Sequence, residues 1–328
     1  MIRTLWIVVV FPVCALFCGC ASPVGVDGAG GSDSLAERLA SDVRVLSKDY
    51  GLRNALHRGV LNDSGVWIGR RFGSMGYSVD MEPVPMVNGL DGFNVVAEVR
   101  GTTRADEIIV IGAHYDAELG TPGADDNASG VAVMLELADR FVNQPMERTV
   151  RWVAFTNEEN SNSSGSTMGS FVHALGCKER YENITAMLSL EMLGYFSDEE
   201  GSQRYPFTSE QAAGLGMDLP TVGNYIGVVG RFVDRPLITR VTSAMLSTGT
   251  IPVTPAALPP LLGAIYRSDH ALFWMQGYSA VMVTDTSEYR NPHYHKAGDT
   301  AETLDYERMG GAADALEAAV WELGNNIE

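Results

Sequence analysis

The sequence predicts an α/β fold: a single globular domain with a mixed, mostly parallel twisted β-sheet and helices on both faces. Short apolar runs rich in Val, Ile and Leu alternate with stretches of helical periodicity, as in parallel strands joined by helices. Several of these runs are apolar at nearly every position, which is typical of strands buried on both faces. With 328 residues, 45% of them hydrophobic, the chain is long enough to bury such a sheet.

The first 19 residues differ from this pattern. An apolar run of about 15 residues follows Arg3, which is short for a spanning helix and typical of a signal peptide. The run ends in "LFCGC", and with Ala21 and Ser22 it resembles a bacterial lipoprotein box in which Cys20 is the lipidated residue. We therefore expect residues 1–19 to be removed as a lipoprotein-type signal peptide. An uncleaved anchor or plain secretion is the alternative.

Residues 20–34 are rich in Gly and Ser and lack periodicity, so they predict a flexible tether. The globular domain is expected at residues 35–328, outside the cytoplasm of a bacterial cell and in contact with the envelope membrane only through the lipidated Cys20. A formal net charge of -18 argues against nucleic acid and anionic lipid headgroups as partners. Cys177 is the only cysteine in this domain, which excludes an internal disulfide framework.

The periodicity predicts the elements of the domain in chain order. Helices are expected at 34–47, 65–77, 131–141 and 304–324, and strands at 94–100, 107–115, 149–158, 184–193 and 278–285. Two helices carry an apolar stripe, formed by Val131, Met134, Leu135, Ala138 and Phe141 in one and by Met309, Ala312, Leu316 and Leu323 in the other. The stretches 197–224 and 248–263 predict long irregular loops, either functional or plain surface excursions.

An acidic cluster, "HYDAELGTPGADDNAS", follows directly after the predicted strand that ends in "EIIVIGA". In an open parallel sheet, functional side chains gather at the carboxyl ends of strands, where His114 and Asp116 are placed. Asp116 is either a metal ligand or the carboxylate that orients the His114 imidazole, and we favour the second role. Asp125 and Asp126 come just before a helix, where acids also occur for electrostatic reasons alone.

Three further strand ends carry comparable side chains. Glu158 and Glu159 follow one strand, and because adjacent strand residues point in opposite directions, one could grip a metal while the other faces water. Glu191 ends another strand between two apolar residues, where a buried carboxylate needs a cation. His293 and His295 follow a fourth strand. Together these residues predict a carboxylate-rich site for divalent cations, zinc first and manganese or cobalt as substitutes.

At these residues the chain resembles the di-zinc exopeptidases typified by secreted bacterial leucine aminopeptidases, a family that also contains glutamate carboxypeptidases and glutaminyl cyclases. The resemblance covers roughly residues 35–325. It is carried by the segments "HYD", "GADDNASG", "NEEN", "LEMLGY", "RSDHALFW" and "NPHYHKAGDT", which stand in the family's order and spacing. It implies a zinc-dependent exopeptidase fold with two Zn²⁺ ions.

The resemblance also implies a role for each site residue. Asp126 bridges both ions, His114 and Glu191 bind one ion, Glu159 and His295 bind the other, Glu158 is the general base, and Asp116 orients His114. Glu191 stands where many members have Asp, and its longer side chain bears on how fully the second zinc site is occupied. Asp269 or His270 is expected near the site, with a core position as the alternative for His270, and His293 is interpreted as a loop residue.

The implied function is hydrolysis of peptide bonds by water that two zinc ions activate, with release of N-terminal residues from peptides that have a free N-terminus. No obligate protein partner is inferred. Two alternatives stay open: a glutaminyl cyclase, which is a single-zinc transferase on a similar scaffold, and a non-catalytic ectodomain of the same fold. The second is disfavoured because every candidate ligand position holds a coordinating side chain.

Overall fold

The computed structural model describes residues 33–86, 91–159, 165–214, 217, 219–259 and 262–326. The predicted signal peptide at 1–19, the lipidated Cys20 and nearly all of the tether at 20–34 lie outside these ranges, so these three features stay predictions. Among the described residues, none of the helices combines the length and the apolarity that a membrane span requires.

One eight-stranded sheet forms the centre of the described residues. Its strands β1 to β8 are Val79–Pro85, Asp91–Val99, Arg104–His114, Arg148–Phe155, Asn183–Glu191, Ile226–Arg231, Val253–Leu258 and Ala280–Thr284. Their order across the sheet is β1-β2-β4-β3-β5-β8-β6-β7. The central strands β4, β3, β5 and β8 run parallel, whereas β2 and β6 join them antiparallel on either side. The predicted mixed, mostly parallel α/β fold is therefore confirmed.

Helices cover both faces of this sheet. The helices α1 to α8 are Leu35–Arg44, Arg58–Met75, Gly130–Phe141, Gly169–Glu179, Ser209–Gly214, Arg235–Ser247, His270–Met275 and Tyr306–Asn325. On β3, Ile109 and Ile111 pack in a core with α1, α2, α3, α6 and α8, whereas Ile108 and Val110 pack in a second core with α4 and α7. Because alternate residues of a strand face opposite sides, the two cores lie on the two faces of the sheet.

Local sequence explains where several helices begin. Ser34 and Glu37 form a capping box at α1, each side chain bonding the backbone amide of the other residue. Asp305 caps α8 by accepting from the amide of Arg308. The apolar stripe predicted for α3 is buried, but α3 is buried almost all round rather than on one face. It lies between the sheet and α8, as its contacts with both show.

The two predicted irregular stretches contain regular structure. Residues 248–263 were expected to be a loop, and this was wrong because they include β7. Pro255 lies inside this strand, and a proline is tolerated there because β7 is at the edge of the sheet, where no partner needs its amide. Residues 197–224 contain the short helix α5 and a bridge between Glu200 and Val222. Strands β1 and β6 and helices α4, α6 and α7 are not predicted by the periodicity.

The register of the central strands brings their carboxyl ends to one edge of the sheet. His114, the last residue of β3, pairs with Phe155, the last residue of β4. Glu191, the last residue of β5, pairs with Thr284 at the end of β8. The polar segments that follow these strands therefore converge at this edge.

We predict opposite effects for alanine at two glycines. A Cβ at Gly112, in the middle of β3, would overlap the ring of the buried Phe155, so Gly112→Ala should cost about 1–3 kcal/mol of unfolding free energy. A Cβ at Gly73 meets nothing within 4 Å, so Gly73→Ala in α2 should add about 0.5–1 kcal/mol. Urea denaturation measures both. Equal stability of the two variants would contradict the packing of Phe155 against β3.

Candidate metal centre and active site

One cluster of metal-binding side chains forms where β3 and β5 end. His114 Nε2 lies 3.3 Å from Asp126 Oδ1 and 3.5 Å from Glu191 Oε1. All three side chains are at least nine-tenths buried. One candidate ligand atom from each lies within 4.8 Å of the others, a spacing that a single cation can bridge.

A second cluster shares Asp126 with the first. His295 Nε2 lies 3.2 Å from Asp126 Oδ2 and 3.1 Å from Glu159 Oε2. Asp126 thus presents Oδ1 to His114 and Oδ2 to His295, so its two oxygens face different histidines. This is the arrangement that a carboxylate bridging two cations requires.

The Asp299 carboxylate holds the segment that carries Asp126. The buried Asp299 accepts hydrogen bonds from the amides of Asp125 (2.8 Å) and Asp126 (3.1 Å). The carboxylate of Asp125 accepts from Gly194 N (2.9 Å) and Asn291 Nδ2 (2.6 Å). Asp125 is therefore a structural residue, and Asp126 is left free to face both histidines.

Asp116 holds the two glutamates that follow β4. Its two oxygens accept the backbone amides of Glu158 and Glu159, each at 3.0 Å. Asp116 Oδ1 also lies 3.6 Å from His114 Nδ1, so its predicted role of orienting the imidazole stays a prediction. The contact with the two glutamate amides is a positioning role that the sequence pattern did not indicate.

Glu158 and Glu159 both point towards the site. Their carboxylates and His114 offer ligand atoms within 4.8 Å of one another, so the expectation of opposite directions was wrong. The alternation ends with β4 at Phe155, and Asn157 then adopts a left-handed backbone with φ of 61°. This turn carries both glutamates to the same side.

Glu191 is held by a serine from a distant segment. Ser268 Oγ donates to Glu191 Oε2 at 2.5 Å and lies 3.1 Å from Ser189 Oγ. The residue after Glu191, Met192, has a φ of 50°, and its amide donates to Asn127 Oδ1. Left-handed backbone at residues other than glycine costs free energy and is concentrated at functional sites, and here it also occurs at His295, with a φ of 54°.

Burial of so many acids in one place shifts their pKa values. Burial raises the pKa of Glu158 well above its ordinary value, and Glu159 and Glu191 add to this. Burial and the Asp126 carboxylate raise the pKa of Glu159 to about 8. Burial by itself would lower the pKa of His295, but the carboxylates of Asp126 and Glu159 raise it to about 10.

The donor set fits divalent cations. Two imidazoles and several carboxylates, with no thiol, suit zinc and other hard-to-borderline ions. Glu159 Oε1 is buried and has no hydrogen-bond partner, which leaves it available as a ligand. Carboxylates that repel one another in a buried place are stabilised when cations lie between them.

A cavity that is open to solvent lies beside both clusters, and the space in and around it that protein atoms leave free is about 960 Å³. His114, Asp126, Glu158, Glu159 and Glu191 lie on its wall. The rest of the wall is largely apolar and comes mainly from β6, β7, β8 and the stretch 197–224, with Tyr205, Phe207, Leu219, Val229, Ala256, Leu258, Ile265 and Met282. Both stretches predicted as irregular thus border the candidate site.

Arg267 and Tyr294 add hydrogen-bond donors to this wall. Arg267 donates to the hydroxyl of Tyr294 at 2.9 Å and forms an ion pair with Glu288. The Tyr294 ring stacks on His295 with a centroid separation of 3.8 Å. A guanidinium and a phenol are therefore fixed next to the second cluster, where they can bind a negatively charged oxygen.

The other residues of interest lie outside the two clusters. His270 is buried, its Nε2 lies 2.8 Å from the carbonyl oxygen of Ile265, and burial lowers its pKa to about 4, so it is a core histidine. Asp269 is buried near the site, and burial raises its pKa to about 7. His293 packs against Tyr195 and lies in the loop before His295.

The comparisons agree with this geometry. Residues 94–222, which include six of the seven predicted site residues, match the model of peptidase family M28. Uncharacterized protein YfbL of Escherichia coli is 37% identical over 289 residues, which are 85% of this chain and 86% of YfbL. The chain belongs to peptidase family M28. The predicted family is thereby confirmed, and the chain is a metal-dependent peptidase.

More distant relatives match this M28 peptidase over part of their length. A probable zinc metalloprotease of Pyrenophora tritici-repentis is 28% identical, over 70% of this chain and 56% of that protein. Aminopeptidase YwaD of Bacillus subtilis is 28% identical, over 66% of this chain and 41% of YwaD. The chain therefore spans about half the length of these two relatives.

Solved structures share the fold. LapB from Legionella pneumophila superposes with a TM-score of 0.69 at 23% identity, covering 89% of this M28 peptidase and 72% of LapB. Glutaminyl cyclase from Bacteroides thetaiotaomicron superposes with a TM-score of 0.63 at 14% identity, covering 89% and 98%. At these identities the likeness shows the fold alone.

Arg53 is a residue of this site that the sequence pattern missed. It is fully buried and donates to the carbonyl oxygens of Tyr115 (2.7 Å), Pro122 (2.6 Å) and Gly123 (2.5 Å). These bonds tie the residue after His114 to the residues just before Asp126. Burial lowers the pKa of Arg53 to about 10, while Asp299, Asp116 and Asp126 oppose this shift. A lone Arg in a polar loop carries no local signal of such a role.

We predict that Arg53→Met weakens metal binding by about 10- to 100-fold, because partners one step beyond the ligands have effects of this size. Arg148→Met is the matched control, since Arg148 is also buried and donates to the carbonyl oxygens of Leu323 and Asn326. Arg148 is the first residue of β4, so it lies at the end of the strand opposite to the site. Both variants should melt at lower temperature. Zinc titration against a chromophoric chelator separates them, and equal zinc affinities would contradict the role of Arg53.

Proposed function

We propose that this M28 peptidase is a zinc aminopeptidase, which removes the N-terminal residue of peptides. The observation that carries the proposal is the position of Asp126, whose two oxygens face two separate histidine clusters at 3.2–3.3 Å. A site for one ion needs only one of these clusters. Two clusters that share a carboxylate fit a pair of divalent cations.

Each of the two ions has its own set of candidate ligands. His114, Asp126 and Glu191 would hold one ion, and Asp126, Glu159 and His295 would hold the other. When bound, zinc supplies Lewis-acid polarisation of a carbonyl group and lowers the pKa of water. The relatives include a probable zinc metalloprotease and an aminopeptidase, which supports this choice of metal and reaction.

Glu158 is the proposed general base. It lines the cavity, and its carboxylate lies next to His114 and Glu159 without belonging to either histidine cluster around Asp126. A carboxylate in this place can take a proton from water and pass it to the amine that leaves when the peptide bond breaks. Asp116 positions this base through the amides of Glu158 and Glu159.

The cavity supports a peptide with a free N-terminus as the substrate. Its acidic end attracts an ammonium group, because Glu158, Glu159 and Glu191 lie together on the wall. Its apolar wall can bury a side chain of the substrate. Tyr294 and Arg267 lie beside His295. They can donate hydrogen bonds to the carbonyl oxygen of the peptide bond that is cleaved, where negative charge develops during the reaction.

A panel of aminoacyl-4-nitroanilides tests the proposal. We expect hydrolysis of substrates with a free amino group, loss of activity after chelation and recovery with Zn²⁺. N-acetylated versions of the same substrates are the matched control and should resist hydrolysis. Cleavage of the acetylated substrates, or cyclisation of an N-terminal glutaminyl peptide with release of ammonia, would instead indicate an endopeptidase or a glutaminyl cyclase.

We predict that Glu158→Gln retains the metal and loses turnover. Its kcat should fall roughly 10²- to 10⁴-fold, the contribution typical of a general base, with little change in zinc content by mass spectrometry. Asp126→Asn is the contrasting variant, and it should lose zinc itself because both clusters lose a carboxylate oxygen. Near-normal kinetics of Glu158→Gln would show that another group accepts the proton.

A further inference from the structure

Glu118 lies beside the second histidine cluster. One carboxylate oxygen of Glu118, one of Glu159 and one ring nitrogen of His295 all lie within 4.8 Å of one another. Neither the sequence pattern nor the family resemblance assigns Glu118 a role. It is half-buried and lies on the segment that joins β3 to the residues before Asp126.

The position of Glu118 is fixed by the loop around it. The Glu118 carbonyl oxygen accepts from Thr121 N at 3.2 Å, and Gly120 makes the turn with a φ of 86°. Just before it, Ala117 N donates to the carbonyl oxygen of Arg53 at 2.9 Å. Because the Arg53 guanidinium also binds both ends of this loop, the backbone that carries the Glu118 side chain is held in place beside the cluster.

A second observation at the same place points to a cation. The Glu159 side chain is only 8% exposed, and its Oε1 has no hydrogen-bond partner. A buried carboxylate oxygen without a donor is costly, and a second carboxylate at this distance adds repulsion. A cation bound by the Glu159 carboxylate between Glu118 and His295 would reduce both of these costs.

We propose that Glu118 is a fourth protein ligand of the ion that Asp126, Glu159 and His295 hold. The proposal rests on the proposed function only in taking zinc as that ion. Zinc with four protein ligands is closed, whereas zinc with three keeps an open position. The ion of His114, Asp126 and Glu191 is then the one that keeps room for substrate, and the two ions have unequal affinities and roles.

Stepwise zinc affinities of the full-length protein test this assignment. The two dissociation constants are measured by competition with a chromophoric chelator for wild type, Glu118→Gln, Glu159→Gln and Glu191→Gln. Glu118→Gln should weaken, by at least about tenfold, the same constant that Glu159→Gln weakens, since even partners beyond the ligands have effects of this size. The other dissociation constant, which Glu191→Gln weakens, should be the same in Glu118→Gln as in the wild type. The visible spectrum of Co²⁺ bound in place of Zn²⁺ should also change in Glu118→Gln.

Asp106→Asn is the matched control. It also removes one negative charge, in this case from an exposed residue of β3 at the opposite end of the strand from His114. If Glu118→Gln and Asp106→Asn change both constants equally, the effect is general electrostatics and the proposal fails. It also fails if both constants are unchanged in Glu118→Gln while KM for free-amino substrates rises, because Glu118 then binds the substrate.

These outcomes are independent of the peptidase activity. Zinc titration needs no substrate, so a protein that shows the Glu118 effect but cleaves no aminoacyl-anilide would refute the proposed function and leave the ligand assignment standing. If the protein is an active aminopeptidase but Glu118→Gln leaves both zinc dissociation constants unchanged, the ligand assignment fails and the proposed function stands.

Discussion

The close approach of buried acids around Asp126 is the constraint on which the rest of the structure depends. Asp126, Glu159 and Glu191 are each at least nine-tenths buried in their side chains and lie together with two histidines, and like charges in such a place repel one another. Divalent cations resolve this conflict, because each can be shared by several carboxylate oxygens. The same concentration of charge that makes the site costly to fold favours the binding of divalent cations there.

The fold meets this constraint with a surrounding layer of hydrogen bonds. The carboxylates of Asp299 and Asp116 accept hydrogen bonds from backbone amides, so they fix the ligand segments without competing for the metal. Arg53 places a positive charge behind the cluster and bonds only to carbonyl oxygens. Asn157 and Met192 have left-handed backbone, which costs free energy. The surrounding contacts hold this backbone in place, and it sets the positions of the ligands.

The two sides of the site serve different purposes in this arrangement. The parallel centre of the sheet supplies the acids, whereas the antiparallel strands β6 and β7 and the stretch 197–224 supply the apolar wall of the cavity. An acidic end and an apolar wall suit a substrate with an ammonium group next to a side chain. In the proposed function, chemistry and substrate selection thus come from different parts of the same sheet.

The sequence by itself determined the sheet class, the strands β2, β3, β4, β5 and β8 and the acids that follow them, because periodicity and strand termini are local properties. The pattern predicted the segments that carry His114, Asp126, Glu159, Glu191 and His295, and the family resemblance implied which residue of each segment is a ligand. Only the tertiary structure decided the places of Arg53, Glu118 and Asp299, and the strand β7 with its proline. Their roles arise from segments that meet only after folding: a loop carbonyl, an amide or a sheet edge has no pattern in the chain until its partner is beside it.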